Sequence, residues 1–542
     1  MKTKRFVFCL AAFAAVLALT LAACKGKGGA VSGSGPEPGA PLGQTPIVKE
    51  KITYTLATSL APNWGNPNEG EFWKKWEEET NIHINWIAIN NSEAGEKYSI
   101  MMSSGDYPDG FFGNFGGGTG NILRYGVQQG IYIPLTKLIP ENMPHFMNRL
   151  LKLAPDALNR QTAPNGEIYS LPSVYFNDSG IPNAAFINKT WLDKLGLAMP
   201  TTTDQYIEAL RAFKTRDPNG NGIADEIPLS LKFDDWGAYD HSAYFGSFGY
   251  PISDNYLIVD KGNVIFIGAT DGFKAGADFF STLYREGLLD REIFTMTEPQ
   301  IVAKENLEPM TLGAFSSWAN YSKNHKDDYA LLMPLKGPNG DQNWKLSGSG
   351  AIGYGRDRFS ITNKAKNPEI LLRWADQFYR DFETGYTAMY GMGPDPNKYW
   401  NYDANGNIKV NENYPPEYER GMQQIPFPPA ALDPEKMAAM ASGLGKDKAE
   451  YEQLYQPYLQ KYTTGEWENF PDPIFTTEEE NEELSVLGTE ILGYTKNQLA
   501  RWISGDGNVN AEWNAYLAEL EKIGLSRYLE LHQQIYNRFK GK

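Results

Sequence analysis

Apolar and polar residues alternate along Lys51–Ser59 (KITYTLATS), the pattern of a half-buried strand. Glu71–Thr80 (EFWKKWEEET) follows with helical character, and Ile82–Ala88 (IHINWIA) alternates again. Residues 92–104 read as a helix, and Gly110–Phe112 as a short apolar strand after the turn Gly105–Asp109. A β-α-β-α-β order predicts a wound, parallel sheet, and such sheets bind ligands at the carboxyl ends of their strands. The logic recurs in strand-like Asn183–Ile187 and a helix over Lys189–Leu195 that stops at Gly196. A further helix follows Pro200–Thr203, with Thr202 and Gln205 at capping-box spacing. Thr311–Ser316 (TLGAFS) reads as an apolar strand ending at Trp318. The tail is helical: Thr477 and Glu480 form a capping box, and Leu484, Leu487, Ile491 and Leu492 share one stripe. Trp513, Tyr516, Leu517, Leu520 and Ile523 follow at helical spacing, and these tail aromatics are expected in a core.

The chain begins differently. Lys2, Lys4 and Arg5 precede an apolar run from Phe6 to Ala23, which reads as a signal segment over residues 1–23. Leu21-Ala22-Ala23-Cys24 resembles a bacterial lipobox, which implies cleavage before Cys24 and lipidation of its sulfur. Residues 24–49 then form the lipidated cysteine and a Gly/Ser/Pro tether, with no apolar periodicity. Beyond the signal, no stretch approaches the roughly 18 unbroken apolar residues that span a bilayer. A tethered soluble protein is expected on the outer face of a bacterial cell membrane, or on its periplasmic side, depending on the envelope.

Length and composition narrow the rest. A chain of 542 residues exceeds one ordinary core, so at least two lobes are expected. Hydrophobic residues at 41% suffice to build them, and a net charge of −16 argues against a nucleic-acid partner. The only cysteines are Cys9 and Cys24, which excludes a disulfide scaffold and a thiolate metal site. The five histidines never fall at i, i+4, so the zincin pattern is absent.

One motif carries metal chemistry. Asp217, Asn219 and Asn221 place oxygens at positions 1, 3 and 5 of a loop, the Ile223 carbonyl serves position 7, and Gly222 permits the turn at position 6. This is the beginning of an EF-hand calcium loop. Position 12 is Pro228 instead of the bidentate Glu, and Asp225 and Glu226 could close the shell instead. A solvated Asn-Gly turn also fits this composition. Two weaker signals fail. Gly348–Gly353 matches G-x-G-x-x-G, but no helix opens after it; Asp403–Asn407 lacks later carboxylates and reads as a hairpin turn.

Several blocks together carry a family resemblance. They are Ser104–Asp109 (SGDYPD), Phe186–Leu192 (FINKTWL), Asp217–Pro228 (DPNGNGIADEIP), Tyr284–Leu288 (YREGL), Pro334–Pro338 (PLKGP) and Pro368–Trp374 (PEILLRW). In this order along the chain they resemble the extracellular solute-binding lipoproteins of bacterial carbohydrate ABC importers, in the subgroup similar to the alginate-oligosaccharide-binding proteins. The resemblance implies an α/β, two-lobed, type II-like periplasmic-binding-protein fold, with wound, mainly parallel sheets and extra C-terminal helices. It implies an N-terminal lobe from 50–178 plus about 334–385, and a C-terminal lobe from 179–333 plus about 386–542. It also implies a structural Ca²⁺ held by Asp217, Asn219, Asn221, Ile223, Asp225 and Glu226. The expected function is capture of an oligosaccharide between the lobes, without catalysis, by a monomer that delivers it to ABC permease subunits.

A sugar presents apolar C–H faces and a rim of hydroxyls, so its cleft needs flat aromatics and amides. Candidates on strand-to-helix loops are Trp64, Asn114, Trp236, Tyr239, Trp318, Asn320 and Tyr354. Two other functions use similar residues: an anchored glycoside hydrolase or lyase, which requires a placed carboxylate pair or an equivalent base, and a calcium-stabilised peptide-binding or adhesion lipoprotein.

Overall fold

Alternation makes β1 (Ile52–Leu60), whose Leu56 and Ala57 point into different cores on the two faces of one sheet. A computed structural model describes residues 36–541, except 61–63, 156, 177–182, 234–237, 254, 318–319, 321, 323, 347–351, 412, 414, 416–417, 419–426, 434–435, 437–450, 452 and 472–473. The helix Glu71–Thr80 buries Phe72, Trp73 and Trp76 and ends at Asn81, which adopts φ 61°. It leads into β2 (Ile82–Asn90), parallel to β1 from Ile52↔Ile82 to Leu60↔Asn90. The helix Ala94–Ser104 then ends at Gly105 (φ 74°), and β3 (Gly110–Phe112) pairs parallel with β1 on its other side. The SGDYPD block is the joint between them: the Asp109 carboxylate accepts from the Thr55 amide at 2.8 Å, and the Asp109 carbonyl from the Thr362 amide.

Parallel pairing stops there. β4 (Leu171–Phe176) and β10 (Ile352–Ile361) complete the sheet in the order β2-β1-β3-β10-β4, with β10 antiparallel to both neighbours. The second sheet, β8-β5-β9, is antiparallel throughout; it joins β5 (Ala184–Asn188) to β8 (Ala314–Ser317) and β9 (Tyr329–Leu332). The expectation of mainly parallel sheets therefore holds only for β1, β2 and β3. Pairing partners far apart in sequence leave no local signature, whereas β-α-β order does.

A third sheet, β13-β6-β7, unites β6 (Leu257–Asp260) and β7 (Asn263–Phe266) with β13 (Trp467–Asn469). Asp403–Asn407 is indeed a hairpin turn, between β11 (Trp400–Tyr402) and β12 (Ile408–Val410). Ile352–Ile361 continues as a strand after the glycine run, so no phosphate-binding helix opens at the G-x-G-x-x-G match.

The cores divide the chain along other lines than the sequence suggested. One lobe gathers Ile47 to Val174 with Phe359 to Leu432; the other gathers Ala184 to Trp344 with Tyr451 to Tyr536. Leu335 and Trp344 thus belong to the second lobe, and Met392, Trp400 and Ala430–Leu432 to the first. The reason is the return path. Val174 accepts from the Leu432 amide and donates to the Ala430 carbonyl, which holds residues 430–432 against β4. The tether is also shorter than expected. Ile47 and Val48 are buried, Gly39 donates to Ile47, Ile47 donates to the Thr80 carbonyl, and the His145 ring meets the Gly43 carbonyl at 2.7 Å. Two apolar side chains among glycines and prolines were enough to dock residues 38–49 on the first lobe.

Three C-terminal helices, Glu478–Ser504, Val509–Ile523 and Leu525–Phe539, pack on the second lobe. Thr477 and Glu480 form the expected capping box, and Trp513, Tyr516 and Leu520 are buried. Among the described residues, no helix is long and apolar enough to cross a membrane.

Candidate functional site

Pairing aligns the carboxyl ends of the first sheet. Leu60 sits opposite Asn90, Thr58 opposite Phe112, and β4 runs in the same sense, so Phe176 ends at this edge too. In the second sheet Ala184 pairs with Ser317 and Ala185 with Leu332, so β8 and β9 end where β5 begins. The chain leaves β4 toward β5 from the first edge and returns to it at Ile352. These two edges therefore adjoin the crossings between lobes, the arrangement of a two-lobed binding protein with its ligand between the lobes.

On the first edge, the loop after β1 and the end of β2 enclose an open concavity of about 590 Å³, lined by Trp64, Asn66, Asn68, Trp86 and Asn90. Trp64 is half-buried there. Asn68 is held rigidly, accepting from the Trp86 amide at 3.0 Å and donating to the Trp86 carbonyl at 3.2 Å. Asn90 accepts from Ser92 and caps the next turn. The indole of Trp64 among asparagine amides is the chemistry a saccharide requires. Asn66, Asn68 and Asn90 escaped the sequence reading; the strand-end rule that selected Trp64 also reaches Asn90. Asn114 is exposed in the turn after β3 on the same edge.

The remaining candidates divide. Tyr239 is fully buried, with φ 67° and its ring 6.1 Å from Phe315, so it presents no face to a ligand. Asn320 is half-buried and its amide is fixed within its own loop, accepting from the Ser322 amide at 3.1 Å and donating to the Lys326 carbonyl at 2.9 Å. The correction at Tyr239 has a plain cause: burial is set by tertiary packing. Trp236, Trp318 and the side chain of Tyr354 lie outside the described residues, as does Cys24. The backbone of Tyr354 pairs with Val174 in β4.

Beneath the second edge Tyr239 joins a polar cluster whose other members the sequence did not mark. Glu305, Tyr239 and Ser317 are fully buried, and the Tyr239 hydroxyl interacts with both Glu305 and Ser317. Burial pushes the Glu305 carboxyl up to about 7, with the Glu298 charge acting in the same sense and Tyr239 against it. The fold thus retains a proton that the unfolded chain releases above the ordinary glutamate range. Stability from this group is present below about pH 4.5 and lost as pH rises through about 7. Glu305→Gln, neutral at every pH, should remove that loss. Wild type should fall behind the variant by a few kcal/mol, on the order of 3, between pH 5 and pH 8 in parallel melting curves. A constant gap between the two across that range would contradict the buried-carboxyl reading.

The Asp217–Glu226 loop follows the helix Thr203–Thr215. Asp217 has φ 44°, and its carboxylate accepts from the amides of Gly220 (3.0 Å), Asn221 (3.1 Å) and Gly222 (3.0 Å). The side-chain amides of Asn219 and Asn221 donate to Asp225. Glu226 Oε1 is buried without a partner, and burial, then the Asp225 and Asp217 charges, push its carboxyl up. Among the described residues no three His, Cys, Asp or Glu side chains form a metal cluster. The donors here include amides and a carbonyl, and three carboxylates with one orphaned oxygen suit a hard divalent cation.

The geometry defines a two-lobed binding protein with an indole-and-amide cleft edge. Residues 67–378 match the bacterial extracellular solute-binding protein family, and the chain belongs to that family. It is 32% identical to the fructooligosaccharide ABC transporter substrate-binding protein FusA of Streptococcus pneumoniae, over 100% of this chain and 99% of that protein. FusA in complex with kestose shares 30% identity and a TM-score of 0.78, covering 90% of this chain and all of that one. An EF-hand mutant of FusA with fructo-nystose reaches 29% and 0.77 over the same shares. An alginate-binding protein solved without calcium ion, 23% identical with a TM-score of 0.63 over 90% of this chain and 99% of its own, shares the fold. These relatives are carbohydrate-binding solute-binding proteins, and the ABC-importer reading of the sequence stands with them.

Proposed function

We propose that this protein captures a short fructo-oligosaccharide between its lobes and delivers it to ABC permease subunits without altering it. The observation that carries the reading is the full-length relationship to FusA. The concavity of Trp64, Asn66, Asn68 and Asn90 supports it, since stacked indole and fixed amides match a sugar's faces and hydroxyls. Closure of the second lobe over a sugar bound on the first edge would bury both and exclude water. The protein acts as a monomer at the outer membrane face, with lipid on Cys24 as its anchor. Asp217, Asn219, Asn221, Ile223, Asp225 and Glu226 would hold Ca²⁺ as a structural ion, whose positive charge offsets the three carboxylates and ties the end of one helix to the strand-forming segment that follows.

Calorimetric titration with kestose tests the reading. A saturable one-to-one isotherm is expected, with the sugar recovered intact after prolonged incubation. Absence of binding to fructans of three to five units would overturn the substrate class, and released monosaccharide would make the protein an enzyme.

A further inference from the structure

Ile474 and Phe475 are adjacent, yet they serve different lobes. Ile474 packs on the second-lobe core, whereas Phe475 packs on the first-lobe cluster that includes Ala57, Phe111 and Tyr169. Its ring centroid lies 4.4 Å from the Arg356 guanidinium carbon. Arg356 comes from the bulged part of β10, and its side chain is 4% exposed. Nε donates to Asp357 at 2.8 Å and Nη2 to Thr119, while Nη1 is buried with no hydrogen-bond acceptor. The ring of Phe475 lies over this guanidinium. Asp357, at φ 63°, is itself fixed by the Ser170 hydroxyl and the Gly118 amide, so the guanidinium is rigidly presented.

A second contact repeats the chemistry. Arg160 of the first lobe lies 5.7 Å from the ring of Phe539, the last residue of the helix Leu525–Phe539. The two phenylalanines stand at one end of the C-terminal helical layer, and that end is welded. Arg538 makes a two-pronged contact with Glu480, at 2.8 and 2.6 Å, and Glu480 also closes the capping box with Thr477.

We infer that this end of the helical layer is an interlobe pin: Phe475 and Phe539, held together by Glu480–Arg538, seat on Arg356 and Arg160 and confine lobe movement to a swing about those two points. Phe475, Phe539, Arg356 and Arg160 are positioning residues, and none of them lines the concavity of Trp64, Asn66, Asn68 and Asn90. A buried guanidinium whose Nη1 has no acceptor resists withdrawal of the ring face beside it, which makes the inner contact the stronger of the two. The inference rests on the two-lobed reading of binding, but its test needs no sugar.

The chain holds only Cys9 and Cys24, so, without the signal segment and with Cys24→Ser, single cysteines can be placed at will. Spin labels at exposed Lys137 in the first lobe and Glu208 in the second report the interlobe distance in the ligand-free protein. Wild type should give one narrow distribution. Phe475→Ala should at least double its width, and Phe475→Tyr, which keeps the ring face, should restore it. Phe539→Ala, a half-buried change near the chain end, should widen it in the same way and covers the case in which Phe475→Ala does not fold. Unchanged widths in both alanine variants, with melting temperatures near wild type, would overturn the pin. That outcome would leave the saccharide reading standing, and failure to bind kestose would leave the pin standing.

Discussion

Alanine in place of Trp64 should weaken saccharide binding roughly ten- to several-hundred-fold while leaving the melting temperature near wild type. The indole lies half-buried in the concavity at the ends of β1 and β2, so its loss removes contact area from the ligand and little from a core. Trp318→Ala is the companion variant: Ser317 ends β8 at the second edge, and the next residue in the sequence is this tryptophan, flanked by Ser316, Ser317, Ala319 and Asn320. The same scale of weakening is expected. Titration of both variants beside wild type decides the matter. Equal affinities would remove the indole concerned from the site, and a collapsed melting temperature would show that it was core.

Chelation should lower the melting temperature of a calcium-loaded preparation. An ion at one hundred times its dissociation constant contributes about 2.7 kcal/mol to the native state alone, roughly 2–3 °C for a chain of this size. Asp217→Ala should erase the difference between calcium and chelator, because Asp217 organises the loop through three backbone amides as well as offering its carboxylate. A loop that needs no ion would melt alike in both conditions. In the ion's absence the Asn219 and Asn221 amides already lean on Asp225, so a milder destabilisation than outright unfolding is expected.

The units that could be read from the sequence were those whose signal is local. β1, β2, β3 and the helices between them follow from period and turn chemistry, and the Thr477–Glu480 capping box needs only four residues. The DPNGNG loop was likewise legible, because its oxygens sit at fixed offsets along one short segment. Pairings across long separations were not. Nothing near β5 announces that β8 and β9 will flank it antiparallel, or that residues 430–432 return to β4. The site split along the same line. The candidate Trp64 follows from the rule that loops at carboxyl ends face ligands, whereas the burial of Tyr239 depends on what packs above it. Asn66 and Asn68 were passed over because an asparagine in a loop has many uses, and only the shared concavity with Trp64 selects this one.

If the protein is anchored as proposed, the docked segment before β1 changes the geometry of encounter at the membrane. With a lipid on Cys24 and residues 38–49 seated on the first lobe, at most residues 25–37 would lie between anchor and body. A leash of that length spans at most about 47 Å, against about 90 Å had it run to residue 49. The volume swept by an anchored body scales as the cube of that length, so the shorter leash would raise its effective concentration at a neighbouring permease roughly sevenfold. The docked segment meets the first lobe beside the starts of β1 and β2, at the end of the sheet away from Trp64 and Asn90. An anchor attached through it would hold the first lobe by its rear and leave the mouth of the cleft free to meet sugar from the medium.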